Sequence, residues 1–230
     1  MSGQMVLKSS TRVPRGAQLS ITETPSFVSR GGEKLEAAIQ AFGMDELHGL
    51  VCVDVGASTG GFTDCLLQHG VSRVYAVDVG YGVLHWKLRN DERVVLMERT
   101  NARYIEGFPE PIQLVTIDAS FISLRILLPV VCGWFNKTGG IVIVLVKPQF
   151  EAGRSEAAKG KGVIRNPLVH RQVLLDVLGF SQETGLGVTG LIRSPLIGPK
   201  GNVEFLACLQ YPGQPGGQEL ENMVEEVINL

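Results

Sequence analysis

The sequence has no strong excess of either charge, no long apolar run and no paired cysteines. Its 21 Lys and Arg stand against 23 Asp and Glu, a net of −2. That balance argues against strong non-specific nucleic-acid binding by the whole chain, though it leaves room for a local basic patch. The longest strongly apolar run, Ile141 to Val146, is far too short to span a bilayer. The first residues show no signal-peptide apolar segment. The four cysteines, Cys52, Cys65, Cys132 and Cys208, form no C-x-x-C pair, and at least three sit in apolar runs. They read as reduced core residues of a cytoplasmic protein rather than a disulfide frame or a zinc site, so no metal is expected. No internal repeat is visible. The 230 residues suffice for one α/β domain with a large core.

What is present is organised around Leu50 to Phe62. Leu50 to Val55 is a short, β-branched apolar run, which reads as a strand buried on both faces. Gly56, Gly60 and Gly61 then break it, and Thr63 to His69 follow with helical spacing. Strand, glycine turn and helix together place a ligand at a helix N-terminus, where free N–H groups and the helix dipole favour negative charge. The dinucleotide fingerprint G-x-G-x-x-G is absent, because Ser occupies position 58. Asp54, two residues before the first glycine, can accept from an ammonium. Asp78, ending a second strand from Arg73, is placed to hold ribose hydroxyls. S-adenosylmethionine fits both acids. The alternatives are another type of nucleotide site, or a glycine turn that binds nothing.

The remaining pattern alternates. A helix is predicted from Ser29, with Leu35, Ala38, Ile39 and Phe42 on one face and Gly43 as its stop. Strands are predicted at Val74 to Val79, Val94 to Met97, Leu114 to Asp118 and Ile141 to Val146, with a helix at Leu124 to Trp134. Gly153 to Gly162 reads as a mobile polar loop. Leu168 to Leu178 reads as a helix, Leu186 to Ser194 and Asn202 to Tyr211 as strands, and Glu219 to Leu230 as a short acidic helix. Weak strand alternation also appears at Met5 to Leu7 and Gln18 to Ile21. Alternating strands and helices imply a parallel sheet covered on both faces. The last two strands have no helix between them and suit an antiparallel edge pair. A mostly parallel seven-stranded sheet with one antiparallel terminal strand is the class I, Rossmann-like methyltransferase arrangement.

In such sheets the site lies beyond the C-terminal ends of the strands. Asp118 and Lys147 close two of them, Lys34 lies in the first helix, and Glu204 is expected in the final strand. A lysine ending a buried strand loses solvation, which favours the neutral amine and lets it act as a base. Two lysines between two carboxylates would position a hydroxyl and take its proton. Taken singly, each has a plainer reading: Lys147 as a strand-end charge reaching water, Asp118 as a helix cap, Lys34 on a solvated face. Phe121 and Trp86 read as packing. The six Lys and Arg against two Glu from Lys147 to Arg171 suit either phosphate contacts or a solvated loop.

Five blocks, Ser29-Arg30-Gly31-Gly32-Glu33-Lys34-Leu35-Glu36, Asp54 to Thr63, Asp118-Ala119-Ser120-Phe121-Ile122-Ser123-Leu124, Val146-Lys147-Pro148-Gln149-Phe150-Glu151 and Gly201-Asn202-Val203-Glu204-Phe205, resemble the TlyA (hemolysin A) family. These are FtsJ-like, S-adenosylmethionine-dependent methyltransferases of ribosomal RNA. The resemblance covers Pro25 to Tyr211. It implies 2′-O-methylation of cytidine ribose, with ribosomal RNA or ribosomal subunits as partner and no membrane. The family's Lys-Asp-Lys-Glu tetrad falls on Lys34, Asp118, Lys147 and Glu204. Its cofactor site falls on Gly56, Ala57, Ser58, Gly60, Gly61, Phe62 and Asp78, with Asn101 where adenine is approached. Family members begin with a small RNA-binding domain, of which only Gly3 to Ile21 resembles the tail. The expected division is therefore a remnant over 1–25, the methyltransferase domain over 26–212, and a linker with a short helix over 213–230. Restoring the missing part is expected to tighten RNA binding. Two other readings are a membrane-active hemolysin and an inactive RNA-binding fold. The sequence offers neither a membrane span nor a basic amphipathic helix for the first, and the intact tetrad speaks against the second. Oligomeric state is not legible.

Overall fold

The computed structural model describes residues 12–18, 25–136, 138–214 and 216–229. The alternation at Met5 to Leu7 lies outside the described residues, as does all but the first residue of Gln18 to Ile21. Helix α1 (Gly31–Ala41) leads into β1 (Val51–Val55), α2 (Gly61–Gln68), β2 (Arg73–Val77), α3 (Trp86–Arg89), β3 (Val94–Met97) and β4 (Leu114–Ile117). Then come α4 (Leu124–Cys132), β5 (Gly140–Val146), α5 (Pro148–Glu151), α6 (Gly153–Lys159), α7 (Pro167–Glu183), β6 (Gly187–Arg193), β7 (Phe205–Tyr211) and α8 (Gly217–Ile228).

The seven strands form one sheet in the order β3-β2-β1-β4-β5-β7-β6. The first five are mutually parallel, and β7 runs antiparallel to both β5 and β6. The antiparallel strand is thus last in the chain but next to last in the sheet. This is the expected class I arrangement. Successive strand residues point to opposite faces, and both faces are covered. Cys52 packs with Leu35, Ile39, Cys65 and Leu66 of α1 and α2. Val53 and Val55 pack with Leu127, Leu128, Val173 and Leu174 of α4 and α7. That two-sided burial is why the strands read as unbroken apolar runs.

Three expectations need correcting. Gly153 to Gly162 is not a loop throughout. Gly153, at φ +81°, turns the chain out of α5 and opens α6 (Gly153–Lys159). The Glu156-Ala157-Ala158-Lys159 run of strong helix formers, with an ion pair between Glu156 and Lys159, outweighs the glycines. The helix from Leu168 runs on to Glu183, started by the Asn166 side chain accepting from the Leu168 amide and by Pro167 in the first turn. Gly179 interrupts its sequence pattern at a cost of about 1 kcal/mol, too little to stop it. Glu204 immediately precedes β7 rather than lying in it. Helix α8 buries Leu220, Val224 and Val227 in the main core, so Gly217–Ile228 packs onto the domain. Helix α3 and a 3-10 turn at Ala102–Tyr104 are too short to leave a periodic signal.

Candidate active site

The parallel strands end at one edge of the sheet, and the residues that follow β1, β2, β4 and β5 meet there. Gly56 has φ +83°, and a Cβ on it would stand 2.7 Å from the carbonyl oxygen of Asp118. Only glycine lets the loops after β1 and β4 approach this closely. Ser58, at φ +50°, donates its amide to Asp78 Oδ2 at 2.8 Å. The Gly80 amide donates to Asp78 Oδ1 at 2.6 Å. Asp78 therefore fixes the turn after β2 against the glycine loop, and each of its oxygens keeps acceptor capacity for a ligand.

Two adjoining cavities share Gly56, Ser58 and Asp118 as a common wall. The larger, about 630 Å³, is bordered by Asp78, Asn101, Ser120 and Phe121. The smaller, about 240 Å³, is bordered by Lys34, Ala57, Gly61, Phe62 and Ile197. The sequence-predicted residues Gly56, Ala57, Ser58, Gly61, Phe62, Asp78, Asn101 and Asp118 all line this paired cleft.

Two predicted cofactor contacts do not. Asp54 is wholly buried. Its oxygens accept from Thr63 Oγ1 at 2.7 Å and Thr116 Oγ1 at 3.0 Å, so it ties β1 to β4 and α2 beneath the loop. Burial, partly opposed by those two hydroxyls, pushes its carboxyl up to about 6. Gly60 also serves the loop from below. It starts α2 at φ +95°, where a Cβ would run into the Leu88 and Leu84 side chains.

The four candidate catalytic residues come together as two ion pairs. Lys34 Nζ donates to Glu204 Oε2 at 2.6 Å, with Glu204 almost fully buried. Lys147 Nζ stands 2.5 Å from Asp118 Oδ1. That approach is a close ion pair without hydrogen-bond alignment, since Asp118 Oδ1 has no aligned donor among the described residues. Lys147 donates instead to Ser120 Oγ at 3.0 Å. Lys34 and Asp118 face the smaller cavity. Lys147 itself borders neither cavity, but its two partners, Asp118 and Ser120, form part of the wall of the larger one.

The sequence reading gave no role here to Gln149 or Ser120, and it read Phe121 as packing. Gln149 donates to Glu204 Oε1 at 3.3 Å and links the Lys147 turn to the other pair. Ser120 receives the Lys147 ammonium. Phe121 is 90% exposed, at φ +63°, its ring tilted against Phe150 with centroids 4.9 Å apart. An exposed aromatic held at positive φ is unusual for a packing residue. A neutral amide and a hydroxyl carry no sequence signal of their own, and only the strand-end position of their neighbours could have pointed to them. The basic segment, by contrast, is partly spent on the surface. Lys159 pairs with Glu156, and Arg171 Nε lies 2.5 Å from Glu225 Oε1.

Comparison with known proteins matches residues 27–211 to the FtsJ-like methyltransferase family. A Mycobacterium tuberculosis protein named 16S/23S rRNA (cytidine-2′-O)-methyltransferase TlyA is 43% identical over 235 aligned positions, spanning 100% of this chain and 87% of that one. Hemolysin A of Brachyspira hyodysenteriae is 40% identical over 210, covering 90% of this chain and 86% of its own. A solved Lactococcus lactis structure assigned as a candidate hemolysin superposes with a TM-score of 0.81 at 44% identity, covering 88% of this chain and 97% of that one.

Proposed function

The chain belongs to the FtsJ-like methyltransferase family, and from that premise we propose that it transfers a methyl group from S-adenosylmethionine to the 2′-hydroxyl of a cytidine in ribosomal RNA. The observation that carries the reading is the pairing of Lys34 with Glu204 and Lys147 with Asp118 around one cleft. Relatives bearing the rRNA cytidine-2′-O-methyltransferase name are 43% identical over the whole chain. No helix among the described residues is long and apolar enough to cross a membrane, and a cytoplasmic enzyme working on ribosomal subunits is the reading adopted. In this reading the catalytic domain spans 26–212, residues 1–25 comprise the tail of an RNA-binding part and a linker, and 213–230 a linker with a short helix.

The cleft residues fit the cofactor. The backbone of Gly56 to Ser58 is open to the cavity, the Asp78 carboxylate can accept from ribose hydroxyls, and Asn101 borders the far end. The combined space is within the range of small-molecule sites. When bound, the sulfonium supplies a methyl group already activated for displacement. The protein's task is to bring in the hydroxyl and remove its proton. Asp118 and Ser120 hold the hydroxyl at the wall of the cleft, and Lys34, fixed by Glu204 and Gln149, sets the second side. The amine of Lys147, after giving up its own proton to solvent, would take the proton of the hydroxyl. Phe121 offers an open ring face at the mouth on which a base can stack.

The test is transfer of labelled methyl from S-adenosylmethionine to isolated ribosomal subunits, followed by mapping of the modified nucleotide. Label on a cytidine ribose supports the reading. A folded, cofactor-binding protein that labels no ribosomal RNA contradicts it.

A further inference from the structure

Away from the cleft, three side chains that the chain sets far apart converge between α1 and α2. Glu36 comes from α1, Cys65 from α2, and His69 from the residue that caps α2. Cys65 and His69 are four residues apart, so they share a face of that helix. Glu36 Oε2 lies 2.7 Å from His69 Nε2 and 3.6 Å from Cys65 Sγ, and the three ligand atoms all fall within 4.8 Å of one another. Lys34, two residues before Glu36, projects from nearly the opposite side of α1. The cluster therefore does not belong to the catalytic pairs.

We propose that Glu36, Cys65 and His69 form a binding site for a divalent transition-metal ion of the zinc type, with solvent in the fourth position.

The distances and the donor types carry the proposal. Zinc bonds of ~2.3 Å to sulfur and ~2.0–2.2 Å to nitrogen or oxygen place tetrahedral ligand atoms ~3.4–3.6 Å apart. The carboxylate–thiol separation already has that value, and the carboxylate–imidazole contact must open by less than 1 Å, within the reach of two side chains that are not fully packed. Thiolate, imidazole and carboxylate together suit zinc, cobalt or nickel rather than calcium or magnesium. The far side of the carboxylate is fixed as metal sites require: Gln40 Nε2 donates to Glu36 Oε1 at 2.7 Å. The Glu36 and His69 side chains are 30% and 26% exposed, which gives an ion a route from solvent, while Cys65 is fully buried. Burial beside Glu36 keeps the metal-free thiol protonated. Binding therefore replaces the S–H bond with a sulfur–metal bond and releases that proton to solvent. The ion binds the imidazole as its Nδ1–H tautomer, so a proton held between Nε2 and Glu36 moves to Nδ1 or leaves to solvent. A metal here would pin the helix that carries Lys34 to the helix that opens with the glycine loop. The sequence reading discounted zinc because no C-x-x-C pair exists, and the carboxylate ligand lies 29 residues before the cysteine.

The experiment uses the full chain, stripped of metal and titrated with cobalt(II). The expected result is one ion per chain with near-ultraviolet absorption from thiolate-to-cobalt charge transfer and visible bands of a tetrahedral site. Cys65→Ser should abolish the near-ultraviolet band. His69→Gln, at a partly exposed position that spares folding, should weaken binding by more than about 100-fold, and Gln40→Ala by ~10–100-fold. Zinc should raise the unfolding midpoint of the natural chain and not that of His69→Gln. Absence of thiolate-to-cobalt absorption from the folded natural chain overturns the proposal. So does binding of equal strength in His69→Gln.

Discussion

Lys147 and Asp118 stand 29 positions apart in the chain, yet Nζ of one lies 2.5 Å from Oδ1 of the other. They meet because β4 and β5 are adjacent and parallel, with Ile117 level with Val144, so the residues leaving both strands emerge at the same edge. The second pair, Lys34 with Glu204, spans 170 positions and joins the first helix to the residue just before the last strand. Each lysine thus has its own carboxylate, and the charges of these four residues cancel.

The Lys34–Glu204 pair is nearly buried, so breaking it from one side should destabilise the fold. Lys34→Met leaves Glu204 without its cation in a site that is 2% exposed, a loss of about 3 kcal/mol. The double variant Lys34→Met with Glu204→Leu should recover most of that stability while staying inactive, because apolar replacement of both partners removes the unpaired charge. Urea unfolding of the two variants checks this. A single variant as stable as the natural chain would show that Glu204 is hydrated.

Asp54 should make stability depend on pH in a direction opposite to most carboxylates. Its pKa is raised from 3.8 to about 6 on folding, chiefly by burial, so the folded state holds the proton more tightly. The resulting contribution is full below about pH 4 and is lost as pH rises through about 6, on the order of 3 kcal/mol in all. Asp54→Asn should remove this slope and gain relative stability at pH 8. The measurement is the difference in unfolding free energy between variant and natural chain at pH 4 and pH 8. An unchanged difference would contradict it.

Gly60→Val should act on the fold before it acts on the ligand. The residue sits at φ +95°, which a branched side chain tolerates poorly, and its Cβ would enter Leu88. Strain and overpacking together should cost roughly 2–6 kcal/mol. Thermal unfolding in the absence of ligand checks this. A variant of normal stability that merely fails to bind the cofactor would return Gly60 to the list of ligand contacts.

Phe121→Ala should leave folding intact, because the ring is 90% exposed. Loss of a stacked base should cost about 1–3 kcal/mol in RNA recognition, seen as a roughly five- to 150-fold fall in kcat/KM for ribosomal RNA. Unchanged kcat/KM would return Phe121 to the role of a surface residue.

Most of this architecture was legible because its signals are local. The Val51-Cys52-Val53-Asp54-Val55 strand, the glycines and the strand-end Asp118 and Lys147 can all be read in a short window. The illegible parts depend on partners distant in the chain. Asp54 looked like a ligand contact by its place before the glycines, but the hydroxyls of Thr63 and Thr116 reach it first. Gly60 looked like a point of ligand approach, while the constraint comes from Leu84 and Leu88 beyond β2. Gln149 and Ser120 became visible only when β5 and β4 were set side by side. The helix at Gly153–Lys159 was hidden because glycines at each end masked a short run of good helix formers.

The central claim is that Lys147 takes the proton from the hydroxyl, and Lys147→Arg tests it most directly. A guanidinium keeps the positive charge beside Asp118 but cannot give up its proton to become a base. Methyl incorporation into ribosomal subunits should fall about a hundred-fold or more in Lys147→Arg, and Lys147→Ala should fail similarly, with S-adenosylmethionine affinity retained in both. Near-normal turnover by Lys147→Arg would contradict the account and leave Lys147 only an electrostatic part.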